Sequence, residues 1–286
     1  MSHFKNKKTN MLPKVCHMYW DGSPFSELNF LSVKSFRLHH PDWKINMWMP
    51  VTRTLNRSWK TAEQKVAYTG KDHFGRLKSE LDVNVLTVDF DKIGFRNSAS
   101  EVIKSDYFRY WALYEHGGVW SDCDIIFIKP LESVFDFVTV DAVIGCITTR
   151  AIYYPVGFLM SKPKNDLFKA LLVTCPQRYN PSEYQCLGSL LFKYLFPTMA
   201  AVKQKFPTMN VVIMDKWGYL PLEWDQLDQL FDREVELKQS SQTFGVHWFN
   251  GSAQAKQYIT TSPRKPCTIT NLLKAGGLLD DTVQKH

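Results

Sequence analysis

Two carboxylates one residue apart sit within an apolar run: Asp122 and Asp124 flank Cys123 inside Val119–Ile128. The run reads as a strand, and residues two apart on a strand face the same side. Two carboxylates so placed repel each other and are costly to bury. A divalent cation removes that cost, and hard oxygen ligands suit Mn²⁺ or Mg²⁺. A cation held there can in turn grip a diphosphate. One helix earlier, Asp106 and Arg109 are i, i+3 neighbours on one helical face. As chemistry they offer a carboxylate for sugar or ribose hydroxyls beside a guanidinium for phosphate oxygens. As plain structure they are an ion pair worth about a few tenths of a kcal/mol. Spacing by itself favours the ion pair, and it leaves the Asp-Cys-Asp run open between a metal site and a chance acidic pair.

The elements that carry these residues have marked ends. Ser98 followed by Glu101 has capping-box spacing, and Gly117-Gly118 stops the helix where a left-handed residue is wanted. Ile103, Tyr107, Tyr110 and Tyr114 recur between them at helical intervals. Upstream, Lys14–Tyr19 reads as a first strand ending at Asp21-Gly22-Ser23-Pro24, Glu27–His40 as a helix stopping before Pro41, and Ile45–Met49 and Val83–Val88 as further strands. Alternating strand and helix patterns imply βα units and an α/β fold with a largely parallel sheet. In such sheets ligands collect beyond the strand ends, where the Asp-Cys-Asp run lies. Later, 142–147, 156–160 and 211–214 read as strands, and 165–173, 187–196 and 225–231 as helices. The expected organisation is a basic tail at 1–10 and one globular unit at 11–286, with a donor lobe at 11–130 and an acceptor lobe at 131–286.

Composition agrees with a folded protein. Of 286 residues, 44% are hydrophobic and 22% charged, which excludes wholesale disorder. No apolar run is long enough for a membrane helix, and the basic N-terminus is unlike a signal peptide, so a cytoplasmic location is the expectation. The six cysteines have no CxxC pair or zinc spacing, which suggests free thiols. Net charge is +7, and Arg53, Arg57, Lys60, Lys65, Lys71, Arg76 and Lys78 concentrate base between Pro50 and Glu80. Such a patch attracts nucleic acid or an anionic membrane surface, or is simply a solvated face.

The segment Ser105-Asp106-Tyr107-Phe108-Arg109-Tyr110, continued by Leu113-Tyr114-Glu115-His116-Gly117-Gly118-Val119-Trp120-Ser121-Asp122-Cys123-Asp124, resembles the signature of glycosyltransferase family 32. This group includes sugar transferases of the Och1 and capsular-polysaccharide type, and its core is shared with clostridial glucosylating toxins. Leu12-Pro13-Lys14-Val15-Cys16-His17-Met18-Tyr19-Trp20 is similar to the family's opening motif. His39, Pro41, Asp42, Trp43 and Trp48 resemble its second, Gly188-Ser189 its helix-introducing pair, and Val246-His247 with Ser252 its closing motif.

The resemblance implies a GT-A-type glycosyltransferase fold, with a Rossmann-like, mostly parallel central sheet flanked by helices. It implies a nucleotide-diphosphate sugar donor (a UDP- or GDP-sugar), a divalent metal, and transfer with retention of configuration. By position, Trp20 would stack on the base, Asp106 would bind donor hydroxyls and Arg109 the sugar or diphosphate. Asp122 would contact ribose and metal, Asp124 would ligate the metal, and His247, Asn250 and Ser252 would close over the diphosphate or complete the metal shell. Taken singly, Trp20 could equally be a core anchor and His247 a satisfied core histidine. Departures fall in the second half: Ala253 replaces a usual Trp, Ser189 a usual Pro, and Tyr154-Pro155-Val156 a usual Asn-containing segment. Asp215 and Asp225 are carboxylates without an assigned role.

A saccharide is the expected acceptor. Nucleic acid, with hydroxymethylated bases of viral DNA as the form, is the alternative, and a lipid-linked glycan at an anionic membrane another. A non-catalytic sugar- or nucleotide-binding relative is the competing class, although binding alone does not need two metal-binding carboxylates. A nucleotide hydrolase is disfavoured by the lack of a P-loop and of clustered His.

Overall fold

The structure, a computed structural model, describes residues 11–54, 68–261 and 265–279. Its strands are β1 Val15–Tyr19, β2 Lys44–Pro50, β3 Val83–Val88, β4 Gly118–Ser121, β5 Ile125–Phe127, β6 Ala142–Gly145, β7 Phe158–Ser161, β8 Val211–Met214 and β9 Gly245–His247. Its helices are α1 Glu27–His39, α2 Arg76–Leu81, α3 Glu101–His116, α4 Asp166–Arg178, α5 Ser189–Leu195, α6 Met199–Lys205, α7 Asp228–Phe231, α8 Ala253–Thr260 and α9 Thr268–Ala275. Seven strands form one sheet in the order β3-β2-β1-β4-β7-β6-β8, and β5 pairs with β9 separately. The pairings β1–β2, β2–β3, β1–β4 and β6–β8 are parallel, and β7 runs antiparallel to both of its neighbours. This is an α/β architecture, with a mostly parallel sheet and helices on its faces.

Period-two alternation divides the sheet's side chains between two cores. Cys16 and Met18 of β1, Val119 of β4, and Phe158 and Met160 of β7 enter one core with α1 and the C-terminal helices. Trp120 of β4, Ala142 and Ile144 of β6, and Leu159 of β7 enter the other, with α3 to α6. Parallel pairing puts the ends of β1, β4, β6 and β8 at one edge, together with the start of β7, so the loops after Tyr19, Ser121, Gly145 and Met214 emerge side by side with Gly157.

Three readings need correction. Helix α3 begins at Glu101 with Ser100 before it and no side-chain cap bond. Glu101 instead accepts from the Lys104 ammonium at 2.9 Å, from the Thr54 N–H at 2.5 Å and from the Tyr19 hydroxyl. The stretch 119–128 is two strands, because Ile125–Phe127 leaves the main sheet to pair with β9. Asp122 to Asp124 therefore form the turn between strands. The segment 225–231 is a 3-10 turn at Trp224–Gln226 followed by the single-turn α7.

The Gly117-Gly118 stop has a steric cause. Gly117 adopts φ +67°, and a Cβ there would lie 2.7 Å from the Pro163 ring. Gly118, at φ +90°, lies directly against the backbone carbonyl of Val15. Only glycine lets α3 turn at once into a strand hydrogen-bonded to β1.

Candidate metal and donor site

Asp122 hangs from the end of β4, where its N–H donates to Gly157 O at 2.8 Å. Two residues on, Asp124 is fixed by the returning segment: Trp248 N–H donates to its carbonyl at 2.9 Å and Asn250 N–H to its Oδ2 at 2.8 Å. The β5–β9 register, Ile125 opposite His247, brings the imidazole to the same place. His247 Nε2 lies 3.0 Å from Asp124 Oδ1, and one ligand atom from each of Asp122, Asp124 and His247 can be chosen so that all lie within 4.8 Å of one another. Two ligands on adjacent positions of one octahedral ion, at about 2.1 Å from it, stand roughly 3 Å apart. The donor set of two carboxylates and an imidazole therefore fits a divalent cation in both chemistry and spacing. His247 Nδ1 is buried without a hydrogen-bond partner among the described residues.

Electrostatics follow from that crowding. Burial pushes the Asp122 carboxyl above its ordinary range; Arg109 pulls it down and Asp124 adds to the rise. Burial acts the same way on Asp124, but the charge and hydrogen bond of His247 and the Asn250 N–H outweigh it, and Asp124 ends below its usual value. Burial lowers the His247 imidazole, but Asp124 outweighs it and raises the group overall.

Behind this cluster lies Arg109, with a side chain only 6% exposed. It reaches Asp106 at 2.9 Å and Asp122 at 3.5 Å. Its other N–H groups donate to Val156 O at 2.5 Å, Ser105 O at 3.3 Å and Ser105 Oγ at 3.1 Å, and the guanidinium lies 5.0 Å from the centre of the Trp120 ring. The i, i+3 pair is thus buried and joins the carboxylates of α3 and β4. Its donors are turned onto the protein, so Arg109 braces the site. Trp120 Nε1 donates to Asp122 Oδ1 at 2.9 Å. A Cβ on Gly188 would lie 2.9 Å from Asp106 Oδ2, so the turn before α5 presses on that carboxylate. Tyr110 ties the turn down by donating to Leu187 O at 2.7 Å.

The remaining residues are placed as follows. Trp20, half-buried just beyond β1, donates to Ser23 O at 2.6 Å and packs edge-on to Phe25. Asn250 touches Asp124 through its backbone, while its side-chain oxygen lies 3.5 Å from Lys256 Nζ. Ser252 is buried and caps α8, its hydroxyl accepting from Ala255 N–H at 3.1 Å. Asp215 caps a short turn by accepting from Trp217 N–H, and Asp225 pairs with Arg150 at 2.6 Å. Neither Asp215 nor Asp225 has a contact with the cluster among the described residues. Sequence reasoning placed Ser105 and Trp120 in the motif without a role and missed Tyr219 and Gly157, whose link to the site exists only once β4, β7 and α3 pack. It also missed Phe249, a non-glycine residue at φ +53° whose ring lies 4.1 Å from that of His247. All six cysteines are buried and unbridged. No helix among the described residues is long and apolar enough to cross a membrane.

Residues 26–141 match the family described as "Glycosyltransferase sugar-binding region containing DXD motif". Inositol phosphoceramide mannosyltransferase 1 of Schizosaccharomyces pombe is 24% identical over 194 residues, covering 65% of this chain and 51% of that protein. The chain thus spans about half the length of the curated relative it matches. Among solved structures, PaToxG glycosyltransferase is similar at 19% identity and TM-score 0.46, over 69% of this chain and 70% of that one. The galactosyltransferase LgtC in complex with donor and acceptor sugar analogs is 14% identical at TM-score 0.46, over 94% and 97%. GlyE of Streptococcus pneumoniae TIGR4 is 12% identical at TM-score 0.48, over 95% of this chain and 61% of that one. Asp122 and Asp124 fall inside the matched segment, and His247 lies outside it.

Proposed function

We propose that the protein is a metal-dependent, retaining glycosyltransferase that moves a sugar from a nucleotide-diphosphate donor to a hydroxyl acceptor. The observation that carries this reading is the convergence of Asp122 and Asp124, inside the matched DXD region, with His247. Asp122, Asp124 and His247 would hold Mn²⁺ or Mg²⁺. When bound, that cation would supply Lewis-acid stabilisation of charge on the leaving nucleoside diphosphate. Asp106 would accept hydroxyls of the donor sugar, kept ionised and oriented by Arg109. Trp20 would flank the base of a UDP- or GDP-sugar. Asn250 and Ser252 would fix the segment closing over the diphosphate. In this division of labour 11–130 supplies the donor lobe and 131–286 the acceptor lobe.

A saccharide acceptor is favoured over a polyanion. Of the basic run between Pro50 and Glu80, Arg57, Lys60 and Lys65 lie outside the described residues, as does the 1–10 tail. Arg53 is matched by Asp21 at 3.4 Å and Arg76 by Glu80 at 2.6 Å, which reduces the free positive charge there. The test is release of nucleoside diphosphate from a panel of nucleotide sugars with and without Mn²⁺, with nucleotide-activated mannose first because of the mannosyltransferase relative. Metal-dependent release from one donor, lost in Asp124→Asn, is the expected result. Release from none of them would overturn the reading.

A further inference from the structure

Tyr219 follows β8 and belongs to no motif singled out in the sequence. Its side chain is buried, the residue being 1% exposed, and its hydroxyl has no hydrogen-bond partner among the described residues. A buried polar group left unpaired is rare in folded proteins and costly, so such a group invites a search for a partner that arrives later. The surroundings supply one. Tyr219 O accepts the His247 N–H at 2.8 Å, and the two rings meet edge-on with centroids 6.0 Å apart. On the other side, a Cβ placed on Gly157 would lie 3.0 Å from Asp122 Oδ2 and 3.6 Å from Tyr219 Cε2. The phenol and the second oxygen of Asp122 therefore border the same small space, kept open by the missing side chain of Gly157.

The two oxygens of Asp122 are unequally treated. Oδ1 accepts the Trp120 indole N–H at 2.9 Å and faces Arg109 at 3.5 Å, whereas Oδ2 is turned toward Gly157. Burial raises the phenol most, Asp122 and Tyr153 add to the rise, and the Phe158 N–H and Arg109 oppose it. We infer that Tyr219 is a positioning residue: its hydroxyl donates to Asp122 Oδ2 when Asp122, Asp124 and His247 hold a divalent cation, completing a set of donors that fixes the carboxylate. This rests on the metal-dependent reading of the site. Groups that orient metal ligands govern affinity without touching the ion. Because His247 is hydrogen-bonded to the backbone of Tyr219 and Asp122 lies near its ring, one residue serves ligands from both halves of the sequence.

The test uses the full chain and Mn²⁺ alone, without nucleotide. Calorimetric Mn²⁺ titration of wild type, Tyr219→Phe and Asp124→Asn is paired with thermal melts in EDTA. Tyr219→Phe keeps the ring and removes only the orphan hydroxyl. It is expected to melt at or above the wild type without metal, and to bind Mn²⁺ at least about tenfold more weakly. Mn²⁺ affinity within twofold of wild type overturns the inference while leaving the metal site intact. A lower melting temperature in EDTA also overturns it, since the hydroxyl then already has a partner in the metal-free protein. If the wild type binds no Mn²⁺ in a manner abolished by Asp124→Asn, the metal reading itself falls and takes this inference with it.

Discussion

Arg109→Met isolates the brace behind the site. The guanidinium lies between Asp106 and Asp122, at 2.9 and 3.5 Å, and both it and Asp106 are almost fully enclosed. A unit charge pair about 4 Å apart interacts by about 4 kcal/mol at an effective dielectric near 20. The Asp122 share is smaller because that side chain is 31% exposed and solvent screens it. Leaving a buried carboxylate without its partner costs about 3–5 kcal/mol, and the two routes to the magnitude agree. For a chain of 286 residues that lowers the melting temperature by roughly 5–8 °C. The cost also depends on pH. A carboxylate deprived of its cation has a folded-state pKa above its unfolded value of about 3.9. Its destabilising effect is absent below the unfolded value and grows as pH rises through the folded one. Thermal melts of Arg109→Met should therefore lie closer to wild type at pH 4.5 than at pH 7.5. Adding Asp106→Asn should recover part of the loss, since the two residues share one interaction. A cost below about 1 kcal/mol at pH 7.5, or a cost independent of pH, would refute the argument that Arg109 acts by balancing buried charge.

Three further outcomes follow from the same geometry. Asp124→Asn should abolish Mn²⁺ binding in calorimetry and lower metal-dependent donor cleavage by about a hundredfold or more, since the cation it would hold supplies the stabilisation of developing charge; retained Mn²⁺ affinity would assign the ion elsewhere. The folded-state pKa of His247 is raised by Asp124, so its contribution is fully present below the unfolded value of about 6.5 and is lost as pH rises through the folded one. EDTA-treated wild type should accordingly lose stability on the alkaline side, His247→Gln should show a flatter profile, and Mn²⁺ binding should strengthen with pH as the ion displaces a proton. Gly188→Ala would place a methyl 2.9 Å from Asp106 Oδ2. Donor KM should rise while the melting temperature falls only a few degrees, and an unchanged KM would remove Asp106 from the donor pocket.

Helix α3, the glycine stop and the central strand after it were legible in the sequence because each is specified locally. Apolar residues recur at helical spacing, and a residue pair at the end can be nothing but glycine. Val211–Met214 and Val83–Val88 were legible for the same reason, as short β-branched runs with clear ends. The break after Ser121 was not, because Ile125–Phe127 is as apolar as the strand before it and its partner lies far along the chain. The pairing of Asp106 with Arg109 was visible as spacing, but its weight was not. Burial and the second partner, Asp122, come from packing β4 beneath α3. Gly157 and Gly188 matter for the side chains they leave out, and a sequence does not display vacant space. Glu101 was read as a cap because its spacing fits one, yet the buried Lys104 competes for it and wins.

The short ladder between β5 and β9 also governs when the site can exist. His247 is made about 120 residues after Asp124. At a synthesis rate of about 5–20 residues per second, the acidic turn leaves the ribosome roughly 6–24 s before the imidazole that balances it. During that interval neither β5 nor the Asp124 carbonyl has its edge partner. A nascent chain halted before β9 would hold all seven strands of the main sheet while lacking His247. The ladder thus delays the meeting of Asp122, Asp124 and His247 until the polypeptide has been made as far as β9.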